Sequence, residues 1–189
     1  MGTEKTSKEE KLDWKKELAE WVVVVVLAIV MAVVINTFLL INAVVPSASM
    51  ENNVMTGDRL FGNRLAYLRE DPERGDIIIF RYPDDESQLF IKRIIGLPGE
   101  TVEIVDGKVY IDGAQDALNE PYIAQEMLGS FGPYEVPEGA YFVMGDNRNY
   151  SADARFWNNT YVYRDKILGK AVFRYYPRIG SIENSNPEY

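Results

Sequence analysis

The chain of 189 residues contains no cysteine and no histidine. Without cysteine there is no thiol nucleophile and no disulfide, and without either residue no Cys- or His-based zinc site can be built. A Ser-His-Asp triad is excluded outright. Any general base must be a lysine, an acid, a tyrosine or a chain terminus. Cations are also outnumbered: 20 Lys and Arg against 29 Asp and Glu leave a formal charge of −9. That is the wrong sign for a nucleic-acid partner, whose phosphates call for clustered Lys and Arg. The acidic run Asp84-Asp85-Glu86 reads as a solvated turn, so neither a metal nor a cofactor is expected.

Hydrophobic residues are plentiful, at 47% with 12% aromatic. From Val22 to Val45 no residue is ionisable. Such a run, about 36 Å long as a helix, exceeds a hydrocarbon core of roughly 30 Å. Cleaved signal peptides have shorter apolar regions, so residues 21–45 are expected to form an uncleaved transmembrane anchor with Trp21 at the interface. Asn36, Thr37 and Asn42 fall in its second half. Lys5, Lys8, Lys11, Lys15 and Lys16 precede the span, and only Arg59 and Arg64 follow it closely. The bias of cations predicts a cytoplasmic tail over residues 1–20 and an extracytoplasmic domain over 46–189.

Beyond Pro46 the texture changes to short apolar runs broken by Gly, Pro and Asp. Strands are expected over Asp76–Tyr82, Phe90–Ile95, Thr101–Val105, Lys108–Ile111, Tyr141–Met144 and Ala171–Tyr176. Asp106-Gly107 marks a two-residue hairpin. Tyr163 to Leu168 suits a short helical turn. The pattern indicates a mostly β domain, an antiparallel sandwich or barrel-like fold, with a small inserted lobe at about 100–138.

Three clusters carry chemistry. Pro46-Ser47-Ala48-Ser49-Met50 places two hydroxyls two residues apart, one able to attack and the other able to donate to an oxyanion. Taken alone it is an ordinary serine-rich juncture. Lys92 lies among apolar strand residues, where desolvation would lower its pKa; alternatively it snorkels with its ammonium in water. The stretch from Met144 to Arg155 reads as a loop of Asx turns and Asp–Arg pairs.

In order and spacing these clusters resemble the signature segments of bacterial type I signal peptidases, the Ser-Lys proteases that remove signal peptides. The family's P-S-x-S-M stands at Pro46 to Met50, followed by Gly57-Asp58. Its R-G-D strand stands at Arg74-Gly75-Asp76, its K-R-x-x-G-x-P-G at Lys92 to Gly99, and its G-D-N-R-x-x-S-x-D-x-R at Gly145 to Arg155. A single anchor with a small lobe looks like the Gram-positive branch. The resemblance implies Ser49 as nucleophile, Lys92 as neutral base, Ser151 orienting the lysine, and Ser47 with the Ser49 N–H as the oxyanion hole. It also implies Asp153 and Arg155 as a supporting pair, and Asp146 and Arg148 as loop braces. Val45, Pro46, Met50, Val54 and Ile91 would form shallow apolar pockets for small residues. The implied partners are signal-peptide-bearing preproteins and, through an apolar face, membrane lipid. Asn52-Asn53-Val54 replaces the family's Pro-Thr-Leu, Asn149-Tyr150 its Asp-Asn, and Asn158-Asn159 follows Trp157 where Gly is usual. The other readings of the residues are a dedicated peptidase for pilins or surface proteins and a non-enzymatic accessory protein.

Overall fold

The computed structural model describes residues 14–182. The chain divides into two units, residues 1–38 and 39–189. Helix α1 runs from Trp14 to Val34 and continues as a π-helical turn, Ile35–Leu39. Trp14–Leu39 is long and apolar enough to cross a membrane. Residues 1–13 of the expected tail lie outside the described residues, and Lys15 and Lys16 belong to α1.

The helix stops short of the expected Val45. Leu40–Val44 is strand β1 of the second unit, antiparallel to β2 (Arg59–Asn63). The polar residues at the end of the run account for the change. Asn42 accepts a hydrogen bond from the Tyr175 hydroxyl at 2.8 Å, while Ile41, one residue away, is buried. Alternation of that kind suits a strand and not a lipid-facing helix.

The remaining strands are β3 (Ile77–Tyr82), β4 (Asp85–Gly96), β5 (Thr101–Val105), β6 (Lys108–Ile111), β7 (Phe131–Glu135), β8 (Ala140–Met144), β9 (Val162–Tyr163), β10 (Ile167–Tyr176) and β11 (Gly180–Ser181). The large sheet has the order β1-β2-β10-β3-β4-β8-β9, with β11 on β10, and the small one β6-β5-β7. All pairings are antiparallel. The strands of the small sheet lie within residues 100–138, where the lobe is expected. Strand β3 shows why its sequence is continuously apolar: Ile78 and Phe80 enter one hydrophobic cluster, Ile77 and Ile79 another. A strand covered on both faces has no polar side to write into its sequence.

Strands β2 and β7 were not legible in advance. Gly62 interrupts β2 because a Cβ there would lie 2.6 Å from the Ile79 side chain. Pro133 sits in β7, which is an edge strand and can spare a donor. Strand β10 begins at Ile167, earlier than expected, and the anticipated helical turn shrinks to Arg164–Lys166.

The Asp106-Gly107 turn has positive φ at both residues, 47° and 78°. That is the two-residue hairpin geometry. Gly107 also packs so closely on the Met127 carbonyl that a Cβ would collide with it. Gly107→Ala is expected to destabilise the domain by about 1–3 kcal/mol in denaturant unfolding. Asp106→Asn should stay within about 0.5 kcal/mol of wild type; equal midpoints for Gly107→Ala and wild type would contradict this account.

Candidate active site

Strand β1 leads through Pro46 into a single 3-10 turn, Ala48–Met50, that carries Ser49. Strand β4 lies between β3 and β8 and carries Lys92. Lys92 Nζ lies 2.7 Å from Ser49 Oγ, and the Ser47 hydroxyl donates to the same oxygen at 3.3 Å. Ser49 is 7% and Lys92 4% exposed. The lysine therefore does not snorkel. Burial, the largest influence, lowers its pKa from 10.5 to about 8, while the charges of Asp153 and Asp146 pull it back up.

Those two carboxylates are heavily engaged by arginines. Arg93, fully buried on β4, donates Nε and Nη2 to the two oxygens of Asp146 at 2.8 and 2.7 Å. Its Nη1 reaches the Gly75 carbonyl at 2.7 Å. Arg155 grips Asp153 with Nε and Nη2, at 2.8 and 2.9 Å, and Asp153 also accepts the Gly145 N–H at 2.9 Å. The Asp153–Arg155 pairing implied by the resemblance is thus present. Asp146 and Arg148 both brace the loop, but through partners outside it. Arg148 forms a bidentate pair with Glu120 of the lobe, and its Nε donates to the Gly145 carbonyl at 3.0 Å.

Asn147 is a site residue the sequence reading missed. Its N–H donates to the Ser49 carbonyl and its Nδ2 to the Ala48 carbonyl, both at 3.1 Å. The loop thereby grips the backbone of the serine turn. Gly145 is packed so tightly on the Ser49 carbonyl and the Ser151 hydroxyl that no Cβ fits. Ser151 differs from expectation. Its Oγ is buried without a hydrogen-bond partner, so it makes no hydrogen bond to Lys92 here.

A cleft of about 550 Å³ opens beside Ser49 and Lys92. Val45, Pro46, Met50 and Ile91 line it, as the resemblance implies, joined by Val44, Leu89 and Tyr150. Val54 does not line it. At 1% exposure it belongs to the core behind the turn, among Met50, Leu60 and Ile79. The segment after Met50 is held without the usual proline. Val54 N donates to the Met50 carbonyl at 2.9 Å, Met55 N to Asp58 at 2.9 Å, and Arg174 bonds Asp58 and the Asn53 carbonyl at 3.0 and 3.2 Å. The acidic turn has a structural duty as well: Asp84 accepts from the backbone of Asn158 and Asn159, at 3.0 and 2.8 Å. Among the described residues no cluster of acids could hold a metal ion.

The model of the family described as signal peptidase, peptidase S26, matches residues 18–176. The chain belongs to that family. Signal peptidase membership makes it a serine-type endopeptidase. Among its curated relatives, probable signal peptidase I-2 of Synechocystis sp. is 41% identical over 82% of this chain and 72% of its own. Signal peptidase I of Bacillus licheniformis is 35% identical over 90% of this chain and 95% of its own. A crystal structure of a signal peptidase I from Enterococcus faecalis V583 is 37% identical, covers 53% of this chain and 97% of its own, and gives a TM-score of 0.47.

Within this S26 peptidase the Arg93–Asp146 pair is fully buried, with 0% side-chain exposure on both partners. Removing one partner strands the other charge away from water. Asp146→Ala is expected to cost about 3–5 kcal/mol in chemical denaturation. A loss under about 1 kcal/mol would show that the pair is solvated.

Proposed function

We propose that this chain is a membrane-anchored serine endopeptidase that removes N-terminal signal peptides from exported preproteins, with Ser49 as nucleophile and Lys92 as general base. The observation that carries the reading is the 2.7 Å contact between Lys92 Nζ and Ser49 Oγ in a buried site. A lysine with a pKa of about 8 is neutral in roughly one molecule in ten at pH 7. In that form the Ser49 hydroxyl donates to the amine. The amine takes the proton as Oγ attacks the scissile carbonyl, then returns it to the departing amine of the mature protein. Water activated by the same amine hydrolyses the acyl-enzyme. The Ser47 hydroxyl and the Ser49 N–H would stabilise the oxyanion.

The apolar cleft lining suits small, uncharged residues near the cleaved bond. The cations before the apolar helix favour a cytoplasmic N-terminus, with residues 46–189 outside. Preproteins emerge there already tethered to the bilayer, so proximity takes the place of solution affinity. Exposed apolar residues of the second unit, such as Phe173, Tyr176 and Ile179, would meet lipid.

Ser49→Ala and Lys92→Met are each expected to abolish cleavage of a synthetic preprotein. Wild-type kcat/KM should climb between about pH 7 and 9, with a midpoint near the lowered Lys92 pKa of about 8. A profile flat from pH 5 to 10, or cleavage by either variant at the wild-type rate, sinks the proposal.

The same burial has a stability consequence. The unfolded lysine keeps its proton up to 10.5, whereas the folded one releases it near 8. Folding therefore sheds a proton between those values, and this group's contribution improves as pH rises through that window. Lys92→Met is expected to be more stable than wild type at pH 7, by up to about 3 kcal/mol, with the advantage closing toward pH 10.5. Lower stability of Lys92→Met at pH 7 would contradict this.

A further inference from the structure

The chain between β6 and β7, residues 112–130, contains no helix or strand. Ordered stretches of that length without helix or strand are uncommon in a compact domain. This one runs against the 145–155 loop and is bonded to it repeatedly. Glu120 holds Arg148 with both carboxylate oxygens. The Tyr122 hydroxyl donates to Glu120 Oε1 at 2.7 Å, and the Tyr122 ring lies 3.8 Å from the Arg93 guanidinium. Leu128 N donates to the Asn149 side-chain oxygen and Asn149 Nδ2 to the Glu126 carbonyl, both at 3.0 Å.

The exposed bonds at Asn149 are of the kind that contribute little. Glu120 is different, because of a shortage of anions. Arg148 has no side-chain exposure and needs a counter-charge. Asp146, the nearby carboxylate, already has both oxygens taken by Arg93. Glu120 fills the gap.

We propose that Glu120 is a positioning residue for the Ser49 reaction, acting from the lobe through Arg148 and the 145–149 loop on the backbone of the serine turn. The route is short. Arg148 is held on one edge by Glu120 and donates its Nε to the Gly145 carbonyl, while its N–H donates to the Asp146 carbonyl at 3.1 Å. Asn147, between them, bonds the Ala48 and Ser49 carbonyls. Loss of the Glu120 charge frees the Arg148 side chain, and the loop loses the contact that fixes Asn147 against the nucleophile. The substrate cleft has no wall from residues 112–130, so substrate binding stays as it was. The inference rests on the assignment of Ser49 and Lys92 above.

The test uses the full chain in detergent micelles and a synthetic peptide spanning a signal-peptide cleavage site. Wild type, Glu120→Gln, Tyr122→Phe and Ser49→Ala are compared, with Glu103→Gln, an exposed lobe residue, as the control. Glu120→Gln is expected to lower kcat by about tenfold to a hundredfold, the scale of a small misplacement of a reacting group. KM should stay within about twofold. Tyr122→Phe should give a smaller fall in kcat, and Glu103→Gln none. Unchanged kcat in Glu120→Gln, an effect on KM alone, or an equal loss in Glu103→Gln overturns the proposal. Should Glu120→Gln fail to fold, Tyr122→Phe decides: reduced kcat at constant KM supports the inference, and wild-type kcat refutes it. Wild-type cleavage by Ser49→Ala would instead remove the underlying assignment of the nucleophile.

Discussion

A lysine amine works as a base near neutral pH only where water cannot solvate its ammonium and no unpaired carboxylate rescues the charge. Lys92 meets the first condition through its place on β4, flanked by β3 and β8. Asp146 and Asp153 threaten the second, since both raise its pKa. Each is gripped by an arginine through two hydrogen bonds. Much of the surrounding structure follows from that requirement. An uncharged buried amine needs a strand to hide it, paired arginines to quiet its neighbours, and a rigid serine turn within 3 Å.

The cost of this arrangement is borne as buried polar structure. Four ion-pairing side chains, Arg93, Asp146, Asp153 and Arg155, are 8% exposed or less around the site. Buried pairs of this kind add little net stability, yet they are intolerant of losing one member. They make the 145–155 loop sensitive to the loss of any one of these charges. After Met50, where Asn52 and Asn53 stand in place of Pro and Thr, Asp58 and Arg174 hold the backbone.

Much of this was readable from the residues. The Asp106-Gly107 hairpin, the twice-buried β3 and the closeness of Ser49 to Lys92 needed only turn chemistry, a run of apolar residues and a familiar set of motifs. Three things were hidden for physical reasons. Strand β1 continues the uncharged run of the helix with only Asn42 polar among its five residues, so composition marks no sharp boundary at Leu40. Val54 is as hydrophobic as a pocket residue but turns into the core, a choice made by backbone bonds that leave no mark in the sequence. The partners of Asp146 and Arg148 were sought inside the loop, yet they are Arg93 and Glu120, 53 and 28 residues away. A lone glutamate in a polar lobe gives no periodic or motif signal.

The central claim is that Lys92 is a buried amine able to lose its proton near physiological pH. Direct titration of that amine tests it, by following the Cε resonance of Lys92 in selectively labelled protein with Lys92→Met used for assignment. A midpoint near 8 is the result this structure predicts. A midpoint at the ordinary lysine value, about 10.4, would show that the amine stays charged beside Ser49 and would contradict its role as the base.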